Sequence, residues 1–177
     1  PGGLIISWLM RLIWRGPMAG KAVTQLFSDT DWGEIDYMIV DFPPGTSDIQ
    51  LTTVQKLKLS GALIVTTPQE ISLNDARKAA SMFTTPDLEV PILGVIENMS
   101  WFSPAKHPDE IYYIFGKGGG LQLAKEFDTI LLGQIHLVME VGEAAEKGLS
   151  VFSQNNKPVV RAFEEMASNI ISRAEKA

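Results

Sequence analysis

The stretch DYMIVDFPPGTSD, residues 36–48, sets an aspartate at the end of an apolar run and follows it with two prolines and a glycine. In open α/β sheets ligands sit outside the carboxyl ends of the strands, and Asp41 holds that position if residues 37–40 form a strand. A carboxylate there is solvated, paired or bound to a cation. Beside a nucleoside triphosphate it would hold Mg²⁺, directly or through a water. Pro43 and Pro44 stiffen the strand exit, because each fixes φ and lacks an N–H. Gly45 then offers an N–H with no side chain in the way, suited to a terminal phosphate oxygen. A plain Pro-Gly turn before a capped helix accounts for the same residues equally well.

Three other features could carry chemistry. FGKGGGLQLAKEF, from Phe115, is rich in glycine, but Lys117 precedes the glycines and Leu121 follows them, so it is not a P-loop. A flexible helix entry is the favoured reading, ahead of a phosphate cradle. Asn98, in VIENMS, could hydrogen-bond an adenine edge or simply close a turn on its own backbone. His107 and His136 stand too far apart in sequence to suggest a metal pair. No Ser/His/Asp arrangement is discernible.

The elements that must position these residues follow from apolar patterning. Continuous Ile/Val/Leu-rich runs at 37–40, 62–66, 92–96 and 130–135 predict strands covered on both faces, as in a parallel sheet between helices. Ser47 with Gln50, and Ser72 with Asp75, have capping-box spacing and predict helices toward Leu57 and through ARKAASMF. Further helices are expected over 120–127 and 158–174, the last with Val159, Phe163, Met166 and Ile170 on one face. The loop SWFSPAKHPDEI, residues 100–111, reads as an exposed excursion. Strand and helix alternate throughout, the pattern of a doubly wound α/β fold with a mostly parallel sheet.

The totals limit the function classes. A length of 177 residues suits one domain, and 45% apolar with 20% charged residues is a globular composition. The formal charge of −6 and the lack of a basic cluster argue against nucleic acid as a partner. The chain has no Cys, which excludes disulfides and any thiolate metal site built from these residues alone. The apolar opening PGGLIISWLMRLIW is shorter than a bilayer span and lacks the features of a signal peptide, so a cytoplasmic protein with no membrane association is expected.

Taken together, IWRGPMAGKAVTQLFSDTDWGEIDYMIVDFPPGTSDIQLT, GALIVTTPQEISLNDARKA, PILGVIENMSWF, YIFGKGGGLQLA and LLGQI resemble, in wording and order, the Mrp/ApbC family of ATP-binding iron–sulfur cluster carriers, relatives of MinD and ParA. The resemblance covers residues 13 to about 160 and implies one P-loop NTPase-like domain over 13–177, with 1–12 outside it. It implies ATP and Mg²⁺ as cofactors, with Asp41 as the Walker-B carboxylate holding Mg²⁺ through a water. Gly45 becomes the γ-phosphate-sensing switch glycine beside Pro44, and Asn98 the base-contacting residue. It further implies a 4Fe–4S cluster as cargo, apo iron–sulfur proteins as recipients and a homodimer when the protein is full length.

Three departures bear on that inference. The family's Gly-Lys-Gly-Gly-Val-Gly-Lys-Ser/Thr type of P-loop has no counterpart here, so the chain reads as the C-terminal part of a longer protein, inactive as an ATPase alone. The Cys-x-x-Cys pair that many members carry after ENMS is replaced by SWFSPAKHPDEIYYIFG. His136 stands where the family usually has proline. Loss of the P-loop strand would leave sheet edges unpaired, and residues 4–13 are the expected cover. Two other classes fit less well. A MinD/ParA-like positioning ATPase would bind anionic liposomes, yet RAFEEMASNIISRAEKA alternates charge signs. A non-catalytic module retaining the fold would lack an in-frame Gly-rich Lys-Ser/Thr motif upstream.

Overall fold

The computed structural model describes residues 17–42, 48–104, 106–107, 109–153 and 157–176. The chain packs as two compact units, Pro1–Leu59 and Ser60–Ala177. Residues 4–13, Pro43, Pro44, Gly45 and Ser47 lie outside the described residues, and with them the expected sheet cover, the switch glycine and the first capping box.

In the first unit, α1 (Pro17–Ser28) and α2 (Asp48–Lys56) pack on each other. Val23 and Val54 are buried. A turn follows α1. Trp32 Nε1 donates to the Phe27 carbonyl at 3.2 Å, and Gly33 takes φ +61° while its N–H bonds Asp31 Oδ1 at 3.0 Å. The strand expected at 37–40 does not form: this stretch has no ladder partner among the described residues, and Tyr37 and Ile39 are exposed. Apolar side chains give a segment faces to bury, but a strand also needs a neighbour for its backbone N–H and C=O groups.

Among the described residues the second unit holds a three-stranded parallel sheet, order β1-β2-β3, of β1 (Ala62–Thr66), β2 (Ile92–Phe102) and β3 (Leu131–Leu137). The crossover β1→β2 is α3 (Glu70–Phe83), which packs on β1. The crossover β2→β3 is α4 (Gly119–Glu126), which packs on β2 and β3. The two helices are joined by Arg77, whose guanidinium donates to Glu126 at 2.7 and 3.1 Å and to Glu70 at 2.7 Å. After α5 (Met139–Glu146) and a 3₁₀ turn, α6 (Lys157–Ala174) covers β3 and part of β2.

Strand parity assigns the faces. Adjacent residues on a strand point to opposite sides. Gln134 reaches Glu97, which lies under α4, whereas Gly133 lies against Met166 of α6. β2 and β3 are thus covered on both faces, whereas the second face of β1 stays open among the described residues, with Val65 60% exposed, so the uninterrupted apolar run of β1 does not mark the double coverage expected of it. Ala80, Val95, Leu123 and Val159 form the fully buried centre of the unit. Asn169 and Arg173 of α6 donate to the carbonyls of Leu132 and Leu93, tying that helix to the sheet backbone.

Sequence and structure differ at several boundaries. β1 spans the expected residues, but β2 runs on to Phe102, which rejoins the ladder opposite Leu137 after a register shift and also exchanges both backbone bonds with Tyr112 at 2.8 Å in an antiparallel bridge. α3 begins at Glu70 with Gln69 as its N-cap and no side-chain cap, so Ser72 is inside the first turn. Its hydroxyl accepts from Thr67 Oγ1 at 2.8 Å. α1 and α5 were not anticipated. Both are short, and MEVGEAAE carries an interior glycine that weakens the helical signal.

Candidate functional site

The carboxyl end of β2 is where backbone irregularity and polar side chains converge. Asn98 pairs in register with Ile135, and the ladder then shifts before Phe102 meets Leu137. Within that bulge Met99 takes φ +54°, an uncommon conformation for a residue with a side chain. Two local bonds close it. Asn98 Oδ1 accepts the Met99 N–H at 2.9 Å, and the buried Ser100 hydroxyl donates to the Glu97 carbonyl at 2.9 Å.

The Met99 bond fixes which end of the Asn98 amide is oxygen. The remaining NH₂ group offers two donors and makes no hydrogen bond among the described residues. A donor at a strand's carboxyl end suits a ring nitrogen or carbonyl of a heterocyclic base.

The preceding residue, Glu97, is only 1% exposed and points to the α4 side of the sheet. Its Oε2 accepts the Gly120 N–H at 2.6 Å and its Oε1 accepts Gln134 Nε2 at 2.7 Å. Both oxygens act as acceptors, the bonding pattern of a carboxylate. Gly120 lies in the first turn of α4, where free N–H groups and the helix dipole attract negative charge. The chain's own acid therefore fills the position a phosphate would take, and the glycine-rich segment is a helix entry. Its glycines serve backbone shape and close approach. Gly116 and Gly118 have φ +94° and +77°, and a Cβ on Gly119 would stand 2.7 Å from the Pro68 carbonyl oxygen, just past the end of β1. Lys117 Nζ sits 4.7 Å from the centroid of the Tyr113 ring.

Trp101 and His136, from the ends of β2 and β3, stack with ring centroids 5.6 Å apart and planes 11° from parallel. Burial lowers the His136 pKa from its ordinary 6.5, opposed by the charge of Glu140. His107 is exposed, with Nδ1 3.6 Å from Glu110 Oε1. Among the described residues no group of three or more His, Asp or Glu could hold a metal ion.

Asp41 is exposed and makes no ion pair among the described residues. It belongs to the first unit and Asn98 to the second. Sequence reasoning passed over Glu97, although an acid inside a doubly covered apolar strand signals a buried group that must have partners. It also passed over the Trp101–His136 stack, which depends on the bulge bringing Trp101 beside β3.

Residues 4–171 match the family model described as ParA: NUBPL iron-transfer P-loop NTPase. The chain belongs to this family. The resemblance read from its motifs is thereby confirmed, and the matched span takes in part of the N-terminal segment. The iron–sulfur cluster carrier protein of Pyrococcus horikoshii is 40% identical over 174 residues, 98% of this chain and 58% of that protein. The iron–sulfur cluster transfer protein NUBPL of Mus musculus is 39% identical over 176 residues, 99% of this chain and 54% of that one. The chain thus spans a little over half the length of these curated relatives. Among solved structures, the nucleotide-binding protein of Archaeoglobus fulgidus in complex with ADP superimposes with TM-score 0.65 at 31% identity, covering 74% of this chain and 53% of that one. The α/β P-loop NTPase fold agrees with the parallel sheet described above. Among the described residues no helix is long and apolar enough to cross a membrane.

Proposed function

We propose that the protein to which this chain belongs is a cytoplasmic, homodimeric ATPase that couples ATP binding and hydrolysis to the delivery of an iron–sulfur cluster to apoproteins. The observation that carries the reading is the Asn98 NH₂ group, which makes no hydrogen bond among the described residues and lies in the C-terminal half of β2, in a chain about 40% identical to a cluster carrier along nearly its whole length. In this reading Asn98 donates to the adenine base. Asp41 holds Mg²⁺ through a water, and Pro44 and Gly45 approach the γ-phosphate. A single exposed carboxylate is compatible with Mg²⁺, which takes one or two carboxylates and fills its remaining positions with phosphate oxygens and water. The Mg²⁺ supplies charge neutralisation at the phosphates when bound.

The cluster is cargo. With no Cys among the 177 residues, its thiolate ligands are not among this chain's own side chains, and the carrier role rests on family membership. The 177-residue chain by itself is expected to show no measurable Mg²⁺-dependent ATP turnover.

The full-length protein tests the reading. It should bind MgATP and pass a reconstituted cluster to an apo iron–sulfur acceptor, followed by visible absorption of the acceptor after separation. Asp41→Asn should weaken the Mg²⁺-dependent part of nucleotide binding and slow turnover. Absence of MgATP binding by the full-length protein, or cluster transfer indifferent to nucleotide and to Asp41→Asn, would overturn it.

A further inference from the structure

We propose that Glu97 is a positioning residue for the base contact made by Asn98. The inference rests on the nucleotide reading given above. Glu97 is held at three points: its carboxyl oxygens by Gly120 N–H and Gln134 Nε2, and its carbonyl by the Ser100 hydroxyl. These bonds come from α4, from β3 and from the far side of the bulge. Between the Glu97 carbonyl and Ser100 lie only Asn98 and Met99, the residue at φ +54°.

A bulge with a side-chain-bearing residue in that region is maintained only when its surroundings over-determine it. Here the restraint is the anchored carboxylate. The Asn98 amide is set by one further bond, to Met99 N–H, so its direction follows the bulge. If Glu97 loses its anchors, the bulge relaxes toward regular strand geometry and the amide turns from the base. Bonds to phosphate should not respond, because Glu97 occupies the helix terminus where an anion would otherwise lie, and the groups that hold it, from Gly120, Gln134 and Ser100, are not those assigned to the phosphates.

A double-mutant cycle on the full-length protein tests this, with titration calorimetry using MgATP and, separately, inorganic tripolyphosphate with Mg²⁺. Asn98→Ala and Glu97→Ala should each weaken MgATP binding roughly tenfold, the value of one well-placed base contact, and leave tripolyphosphate binding unchanged. The double variant should bind MgATP no more weakly than Asn98→Ala alone, since Glu97 acts through Asn98. Gln134→Leu, at an exposed position, is the second probe should Glu97→Ala fail to fold, and it should shift MgATP affinity in the same direction with tripolyphosphate unaffected.

The inference is overturned if both Glu97→Ala and Gln134→Leu bind MgATP like the parent. It is equally overturned if tripolyphosphate binding falls in parallel, or if the Glu97 and Asn98 effects add. If Asn98→Ala itself leaves MgATP affinity unchanged, the fault lies in the base-contact reading, and the inference about Glu97 falls with it.

Discussion

Gly120→Ala isolates the packing on which the end of β2 depends. A Cβ built on Gly120 would stand 2.8 Å from the Glu97 Cβ, 3.1 Å from its Oε2 and 3.2 Å from Leu131 Cδ1. The closest of these is the root of a buried side chain, so relief requires α4 and β2 to move apart. Overpacking of this kind costs about 1–3 kcal/mol. The movement also stretches the 2.6 Å bond from Gly120 N–H to the Glu97 carboxylate, and losing a bond to a charged group costs about 1.5–3 kcal/mol. Against these, alanine gains about 0.5–1 kcal/mol over glycine in a helix. The balance is a destabilisation of about 1.5–5.5 kcal/mol.

Gly142→Ala is the matched control. Gly142 is interior to α5, does not have a positive φ, and an added Cβ meets nothing within 4 Å. The same substitution there should stabilise by about 0.5–1 kcal/mol. Urea unfolding of both variants, read as a change in midpoint at constant slope, compares them directly. A Gly120→Ala variant as stable as Gly142→Ala would refute the claim that α4 and Glu97 are packed to contact.

Leu123→Ala removes a side chain with no exposed surface from α4 and should lower unfolding free energy by about 2–5 kcal/mol; a change within the scatter of surface substitutions would place Leu123 outside the core. The Glu126 carboxyl is held at a pKa of about 2, below its ordinary 4.5, first by its bonds from Arg77 and then by that from Gln122. Between those two values the unfolded chain binds a proton that the fold does not. The α3–α4 link therefore contributes fully above pH 4.5 and is lost as pH falls toward 2. Melting curves of Glu126→Gln should show a shallower acid limb over that window, and an unchanged limb would count against the link. Burial keeps the His136 pKa below 6.5, so the unfolded chain is the better proton acceptor and stability declines as pH drops below 6.5. His136→Phe should remove that decline while retaining a ring against Trp101; the same slope in both proteins would show that another group titrates.

What the sequence made legible follows a physical divide. β1 matches the expectation to the residue because its signals are local: Gly61 before it, Thr67 and Pro68 after it, and an uninterrupted run of five residues between them. The C-terminal helix was equally plain, since α6 carries its apolar face at helical spacing over 18 residues. The misses depend on distant partners. Residues 37–40 have strand composition and no ladder among the described residues. β2 lengthens because its ladder to β3 resumes at Leu137, past the expected end of that strand. Asn98 was legible as a candidate, but the bond that orients its amide is a property of the bulge.

The glycine-rich segment, favoured from the sequence as a helix entry, does open α4, and the structure adds what its glycines approach. Glycines before a helix do mark a place where backbone must approach something closely and where an anion is favoured. Here both conditions are met inside the protein. The close approach is Gly119 on the Pro68 carbonyl, and the anion is Glu97. An acid 23 residues upstream supplies the negative charge, so sequence spacing around the glycines cannot reveal it. The clue lay in β2, where VIEN interrupts an apolar run with a charge that a covered strand tolerates only if donors await it. A glycine-rich helix start with no phosphate motif and a buried acid with no local partner are the two halves of one interaction, and each accounts for the other.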